Sequence, residues 1–315
     1  MVTMQSDVAV LEAGWKKLPA LYRMPSQVPT LEEAQMFCRQ LTESHYENFH
    51  VASWFLPKRL RPHFQSIYAY CRISDDLGDE VGDTQQSLAL LNFWQGELDA
   101  CYRGEVRHPV FVALAETIRI CEIPKEPFAN LLIAFRQDQT VQRYATMQDL
   151  LGYCKNSADP VGHLVLYASG YRDAERFALS DFTCTALQLA NFWQDVSVDY
   201  QKNRIYLPQE DMQRFGVTEA QIRERRYTDE FRALMQYEVE STRELLRKGM
   251  PLIARLDSDL AIDIDLFSRG GMEILRAIER QRYNVLCARP AISKARKLAL
   301  LFRAVAGKLT ARPAA

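Results

Sequence analysis

The sequence predicts an all-α fold in a single domain. Helical rather than alternating periodicity runs through most segments, and strand signals are weak throughout. No Gly/Ser/Pro-rich linker interrupts residues 30 to 290, and no repeat of solenoid length occurs. With 48% of its 315 residues hydrophobic, the chain can bury a large core.

The elements follow in order. Residues 1–29 carry three prolines and no clear period, so they read as an irregular arm or as disorder. Thr30 and Glu33 make a capping box that opens a helix over 31–46. Helices are then expected near 60–80, 85–102, 109–121, 126–142, 146–156, 160–170, 180–200, 208–214, 219–225, 229–248, 252–256 and 260–288. Pro109, Pro124, Pro160, Pro208 and Pro251 stand where helices can begin, and Thr218 with Gln221 makes a second capping box. Residues 291–315 read as a basic amphipathic helix, near 292–308, and a tail. There Leu298, Leu301, Phe302, Val305 and Leu309 share one stripe with Lys and Arg around it, suited to docking on the bundle or to peripheral contact with an anionic membrane.

Composition narrows the function classes. The 39 basic and 40 acidic residues nearly cancel, which disfavours a nucleic-acid partner, although Arg282 to Ala315 contains no Asp or Glu. Seven scattered cysteines with no Cys-x-x-Cys pair read as reduced thiols. With no basic-then-apolar N-terminus, a cytoplasmic location is expected, with contact at the inner face of the membrane as its variant. The longest uncharged apolar run, Val161 to Tyr171, is about half of what a spanning helix needs.

Chemistry concentrates in two acidic stretches. In "ISDDLGDE" (73–80), about 100° per residue places Asp79 roughly 40° from Asp75, with Arg72 and Tyr68 near the same stripe. Asp76 and Glu80 fall on a neighbouring face and read as solvated or supporting. At roughly 6 Å and an effective dielectric of about 20, two carboxylates repel by about 3 kcal/mol, so a cation is expected near them. In "LQLANFWQDVSVDYQKNRIYLP" (187–208), Asn191, Asp195 and Asp199 repeat the four-residue spacing, with Gln188 on the same stripe. Two such helices face to face would offer an oxygen cage suited to Mg²⁺, with Mn²⁺ as a substitute. A di-iron reading competes, because Glu47/His50 and Glu105/His108 both match Glu-x-x-His. His108 precedes Pro109, which disfavours helical geometry there. His45, His63 and His163 read as local hydrogen-bonders.

"YAYCRISDDLGDE" together with "NFWQDVSVDYQKNRIYLP" closely resembles the two aspartate-rich motifs of the squalene and phytoene synthase family, from about His45 to Arg289. The resemblance implies a single-domain isoprenoid synthase helical bundle with a central cavity, spanning 30–290. It implies metal ligation by Asp75, Asp79, Asn191, Asp195 and Asp199, with Tyr68 and Arg72 at the diphosphate end and catalysis carried by these motifs. It implies substrate contacts from His45, Tyr46, Asn48 and Phe49, a prenyl tunnel lined by Tyr153, Ser157, Val161, Gly162 and Val165, and polar or diphosphate contacts from Gln188, Gln194, Arg204 and Arg289.

This chain departs from the usual pattern in several places. Gln194 replaces the arginine usual before the second motif's first Asp, "HYENF" replaces a Ser/Thr-rich segment, "SADPVG" replaces Val-Ala-Gly, and Gly271 stands where a late tyrosine is usual. These departures resemble the bacterial hopanoid-pathway branch that converts presqualene diphosphate to hydroxysqualene. A neutral Gln194 costs less if only one diphosphate is bound. The implied reaction is ionisation of presqualene diphosphate and quenching by water, without NADPH, with handover to other hopanoid-pathway enzymes. Two rivals are head-to-head condensation to presqualene diphosphate, squalene or phytoene, and a non-catalytic helical assembly factor. Asn48, Ser157 and Asp159 are candidates for holding the quenching water.

Overall fold

The computed structural model describes residues 2–44, 57–293 and 296, with side chains from residue 9 onward. Among the described residues it is all-helical, with one isolated bridge, Arg143 to Ile205, as its only β pairing. The chain forms two compact units. The first comprises residues 1–141 and 163–172, and the second 142–162 and 173–315.

In the first unit, α1 (Val2–Lys17) is followed by a 3₁₀ turn (Ala20–Tyr22), α2 (Leu31–Ser44), α3 (Arg61–Asp79), α4 (Thr84–Tyr102), α5 (Pro109–Cys121) and α6 (Glu126–Gln137). The expected irregular arm is therefore largely helical. Its helix packs on α4, Lys17 Nζ donates to the Val81 carbonyl at 2.9 Å, and Tyr22 is buried. Those anchors lie far along the chain, so local periodicity did not reveal them. Helix α3 packs against α2, α4, α5 and α6. The core centres on Tyr70, Trp94, Phe111 and Phe128, with Trp94 and Phe111 ring centroids 4.6 Å apart.

His108 is fully buried within this core. Its Nδ1 accepts from the Val110 amide at 3.2 Å, capping α5, and its Nε2 lies 3.2 Å from the Tyr22 carbonyl. Burial pushes its pKa down to about 4, so it stays neutral. It is a capping residue rather than a metal ligand. His63 likewise bonds Thr117 at 3.0 Å.

The second unit contains α7 (Met147–Ser157) and the start of α8 (Asp159–Ala168), a helix that crosses the unit boundary after Gly162. It continues with α9 (Ala174–Gln201), α10 (Gln209–Phe215), α11 (Glu219–Arg223), α12 (Asp229–Gly249), a 3₁₀ segment (Met250–Arg255) and α13 (Ser258–Arg280). Helix α9 packs on α7, α12 and α13. It begins six residues before its expected start, because the Asp173 carboxylate caps the Arg176 amide at 3.0 Å.

Helix α13 stops well before 288. Arg282 and Tyr283 both adopt positive φ, 53° and 66°, and the Tyr283 amide donates back to the Ile278 carbonyl at 2.9 Å. The expected helix at 292–308 lies almost wholly outside the described residues. No helix among the described residues is long and apolar enough to cross a membrane.

Candidate diphosphate site

On α3, Asp75 and Asp79 are both half-exposed. Between them in sequence, Asp76 is only 4% exposed. Arg72, one turn earlier, grips it with both arms of the guanidinium, Nε at 3.1 Å and Nη2 closer. The Tyr22 hydroxyl donates to the same carboxylate at 2.6 Å. Of the two roles expected for Asp76, solvated or supporting, burial removes the first, and its bonds to Arg72 and Tyr22 fit the second. Arg72 is committed to this buried carboxylate and lies 3.8 Å from Asp75 through its third nitrogen. Tyr68 is half-buried, and burial raises its phenol above the usual range.

Helix α9 carries the second motif differently. Asp195 itself is the buried acid, 9% exposed, and Arg289 binds both of its oxygens, Nη2 at 2.9 Å and Nε closer. That hydrogen bonding lifts the Arg289 pKa further. Next to it, Gln194 is 5% exposed and donates to the Pro290 carbonyl, while Ser197 donates to the Val285 carbonyl at 3.2 Å. The 285–290 segment thus lies along the motif. Asn191 is exposed, and Gln188 and Asp199 are partly exposed. Arg204 follows the turn that ends α9, its amide donating to the Asp199 carbonyl at 2.9 Å.

The tunnel residues divide between the two units. Tyr153 is buried among Tyr144, Tyr206 and Phe192 at centroid distances of 5.6, 6.0 and 6.2 Å, and Phe192 stacks on Tyr206 at 3.7 Å. Ser157 has a buried hydroxyl with no hydrogen-bond partner among the described residues, and Asp159 accepts from Thr185 Oγ1 at 2.8 Å. Gly162 is demanded by packing, since a Cβ there would come 2.2 Å from Ser180 Oγ and 2.7 Å from Cys184 Sγ. At Gly271 a Cβ would meet Leu187 Cδ2 at 2.6 Å, so a larger residue there requires the Leu187 side chain to move. Val161 is exposed, and Val165 packs on the core of the first unit. His45, Tyr46, Asn48 and Phe49 lie outside the described residues.

The motif donors are carboxylate and amide oxygens, a hard set that fits Mg²⁺ or Mn²⁺ and does not suit a softer metal. Among the described residues, no three His, Cys, Asp or Glu side chains converge closely enough to hold a metal unaided. A groove of about 550 Å³ beside α1 and α4, lined by Leu11, Leu88, Ala89 and Phe93, carries no ionisable side chain and is unrelated to this chemistry.

Residues 42–296 match the squalene/phytoene synthase family, and the chain belongs to it. A hydroxysqualene synthase from Zymomonas mobilis is 30% identical over 269 residues, covering 84% of this chain and 88% of the relative. A 15-cis-phytoene synthase from Synechococcus elongatus is 29% identical, covering 86% and 92%. The crystal structure of squalene synthase HpnC from Alicyclobacillus acidocaldarius superposes with a TM-score of 0.78 at 45% identity, covering 86% of this chain and 99% of that one. A dehydrosqualene synthase in complex with ligand gives the same TM-score at 26% identity, covering 88% and 96%.

Proposed function

We propose that this member of the squalene/phytoene synthase family is a hydroxysqualene synthase, acting on presqualene diphosphate with Mg²⁺. The observation that carries the reading is Gln194. Where the family usually places an arginine, this neutral, buried amide donates to the Pro290 carbonyl and brings no positive charge to a second diphosphate. A one-diphosphate substrate fits that loss of charge.

The carbon–oxygen bond of presqualene diphosphate breaks, and its electron pair leaves on the diphosphate oxygen. A bound Mg²⁺ would supply Lewis-acid stabilisation of that leaving group. Asp75, Asp79, Asn191, Asp195 and Asp199 are the residues assigned to hold it. Arg204 and Arg289 stabilise charge that grows on the diphosphate in the transition state. Arg289 must exchange its bond to Asp195 for the diphosphate, which frees both Asp195 oxygens as the substrate arrives. Arg72, held by Asp76, orients Asp75. The cyclopropylcarbinyl cation rearranges, water adds through oxygen, and the added water loses one proton, leaving hydroxysqualene and diphosphate. The Ser157 hydroxyl supplies a hydrogen-bonding partner for that water.

The second reading, condensation of two farnesyl diphosphates, is favoured by the 45% identity to a protein named squalene synthase. One assay separates the two. Purified protein is given presqualene diphosphate with Mg²⁺ and no NADPH, with farnesyl diphosphate in a parallel reaction. Hydroxysqualene from the first substrate is expected, and turnover of farnesyl diphosphate alone overturns the proposal. EDTA should abolish turnover.

A further inference from the structure

The loop that carries Arg204 is held by one residue that the motifs do not include. Arg143 lies just before α7, and its side chain is 23% exposed. All of its N–H donors are directed. Nε donates to Glu219 Oε1 at 2.8 Å and Nη2 to Glu219 Oε2 at 3.1 Å. Nη1 donates to the carbonyls of Gln142 at 2.9 Å and Asn203 at 2.5 Å, and Nη2 also reaches Asn203 Oδ1 at 3.3 Å. A guanidinium has five N–H donors, so none remains for a substrate phosphate. Asn203 sits at φ 59°, a left-handed turn that asparagine adopts more readily than other residues with a side chain.

The contacts fall on both sides of Arg204. Asn203 is clamped by Arg143 and by a second bond from its own Nδ2 to Gln142 Oε1 at 2.5 Å. Ile205 pairs with Arg143 in the isolated bridge, its amide donating to the Gln142 carbonyl at 3.0 Å. Further along, the Gln209 and Glu210 amides donate to the Tyr144 and Ala145 carbonyls at 2.9 and 3.0 Å. Residues 142–145 therefore form a fixed seat for the whole 203–210 segment, and the guanidinium is its keystone.

We propose that Arg143 is a positioning residue for Arg204, pinning the residues on either side of it so that the Arg204 guanidinium meets a magnesium diphosphate in a fixed place. The inference rests on the proposed diphosphate role of Arg204. Misplacing such a group by about 1 Å is worth up to roughly 100-fold. Lysine is no substitute, because one ammonium cannot span Glu219 and Asn203 together.

The test is a double-mutant cycle on binding of inorganic pyrophosphate with Mg²⁺, read by titration calorimetry. The variants are Arg143→Gln, Arg143→Lys, Arg204→Ala and the doubles. Arg204→Ala should weaken binding tenfold or more. Each Arg143 variant should weaken it to a similar extent alone, and by less than about twofold once Arg204 is gone. Penalties that multiply, or full affinity in Arg143→Lys, would overturn the positioning role while leaving Arg204 a diphosphate ligand. An unchanged affinity in Arg204→Ala would instead overturn the role of Arg204, and this inference with it. If Arg143→Gln does not fold, Glu219→Gln removes half the clamp from the exposed side and carries the same cycle.

Discussion

The two acidic motifs use the same device, an arginine clamped across a buried aspartate, but apply it to different members of the motif. On α3 the clamped acid is Asp76, and the arginine comes from one turn away on the same helix. On α9 the clamped acid is Asp195, an assigned metal ligand, and its arginine comes from 94 positions further along the chain. The first motif is therefore assembled before any substrate arrives. In the second, Arg289 occupies both oxygens of Asp195, and under the proposed function it exchanges that bond for the diphosphate. Charge neutralisation in the first is a property of one helix, whereas in the second it depends on the 285–290 segment being in place.

The strongest way to break this comparison is to remove one ligand from each motif. Asp79→Ala and Asp195→Ala should each lower kcat/KM by about 10³-fold or more, since both serve charge that develops in the transition state. Activity that survives one and not the other would show that only one motif carries the chemistry.

Arg289→Gln and Arg72→Gln should then diverge. Freeing Asp195 removes charge-assisted hydrogen bonds worth roughly 1.5–3 kcal/mol, so Mn²⁺ binding in the absence of diphosphate should tighten about tenfold in Arg289→Gln. It should change little in Arg72→Gln. Electron paramagnetic resonance of bound Mn²⁺ reads both.

A response to pH is built into the second unit. Glu238 on α12 is fully buried, and desolvation together with the neighbouring Asp211 raises its carboxyl to about 9. Glu210 adds repulsion, and Asp211 is itself raised by burial. The folded state keeps the Glu238 proton while the unfolded chain releases it near the ordinary carboxyl value. This contribution to stability is thus full below about pH 4.5 and is lost progressively as pH rises towards 9. Glu238→Gln should recover several kcal/mol, at most about 6, at pH 9 and less than about 1 kcal/mol at pH 5, measured by urea unfolding. A loss of stability at pH 9 equal to that of the parent would contradict the assignment.

The smallest effects concern the clamp in the first unit. Asp76→Asn should cost about 1–3 kcal/mol, discounted because Arg72 is partly exposed, and Tyr22→Phe about 1 kcal/mol, since Arg72 still holds the carboxylate. Thermal denaturation measures both. A Tyr22→Phe cost equal to that of Asp76→Asn would mean the N-terminal anchor, rather than the local arginine, holds the motif.

Much of this organisation was legible in the chain itself. Capping boxes at Thr30 and Thr218, proline at the start of α5 and the 3.6-residue period located most helices to within a few residues, because those signals act between neighbours in sequence. The four-residue spacing of Asp75 with Asp79, and of Asn191 with Asp195 and Asp199, marked the acidic stripes for the same reason. The burial of Asp76 was half legible, through Arg72 at i−4. Its other partner, Tyr22, was hidden in a segment whose prolines made it look irregular.

The sequence by itself determined the all-helical class, the family and the acidic stripes, since helix period and side-chain chemistry are local properties. Only the tertiary structure decided which aspartate each arginine would hold, why a Cβ at Gly162 would collide with Ser180 and Cys184, and that Arg143 would seat the loop before and after Arg204. Each of those depends on how closely distant backbones approach, a distance set by packing and carried by no single stretch of residues.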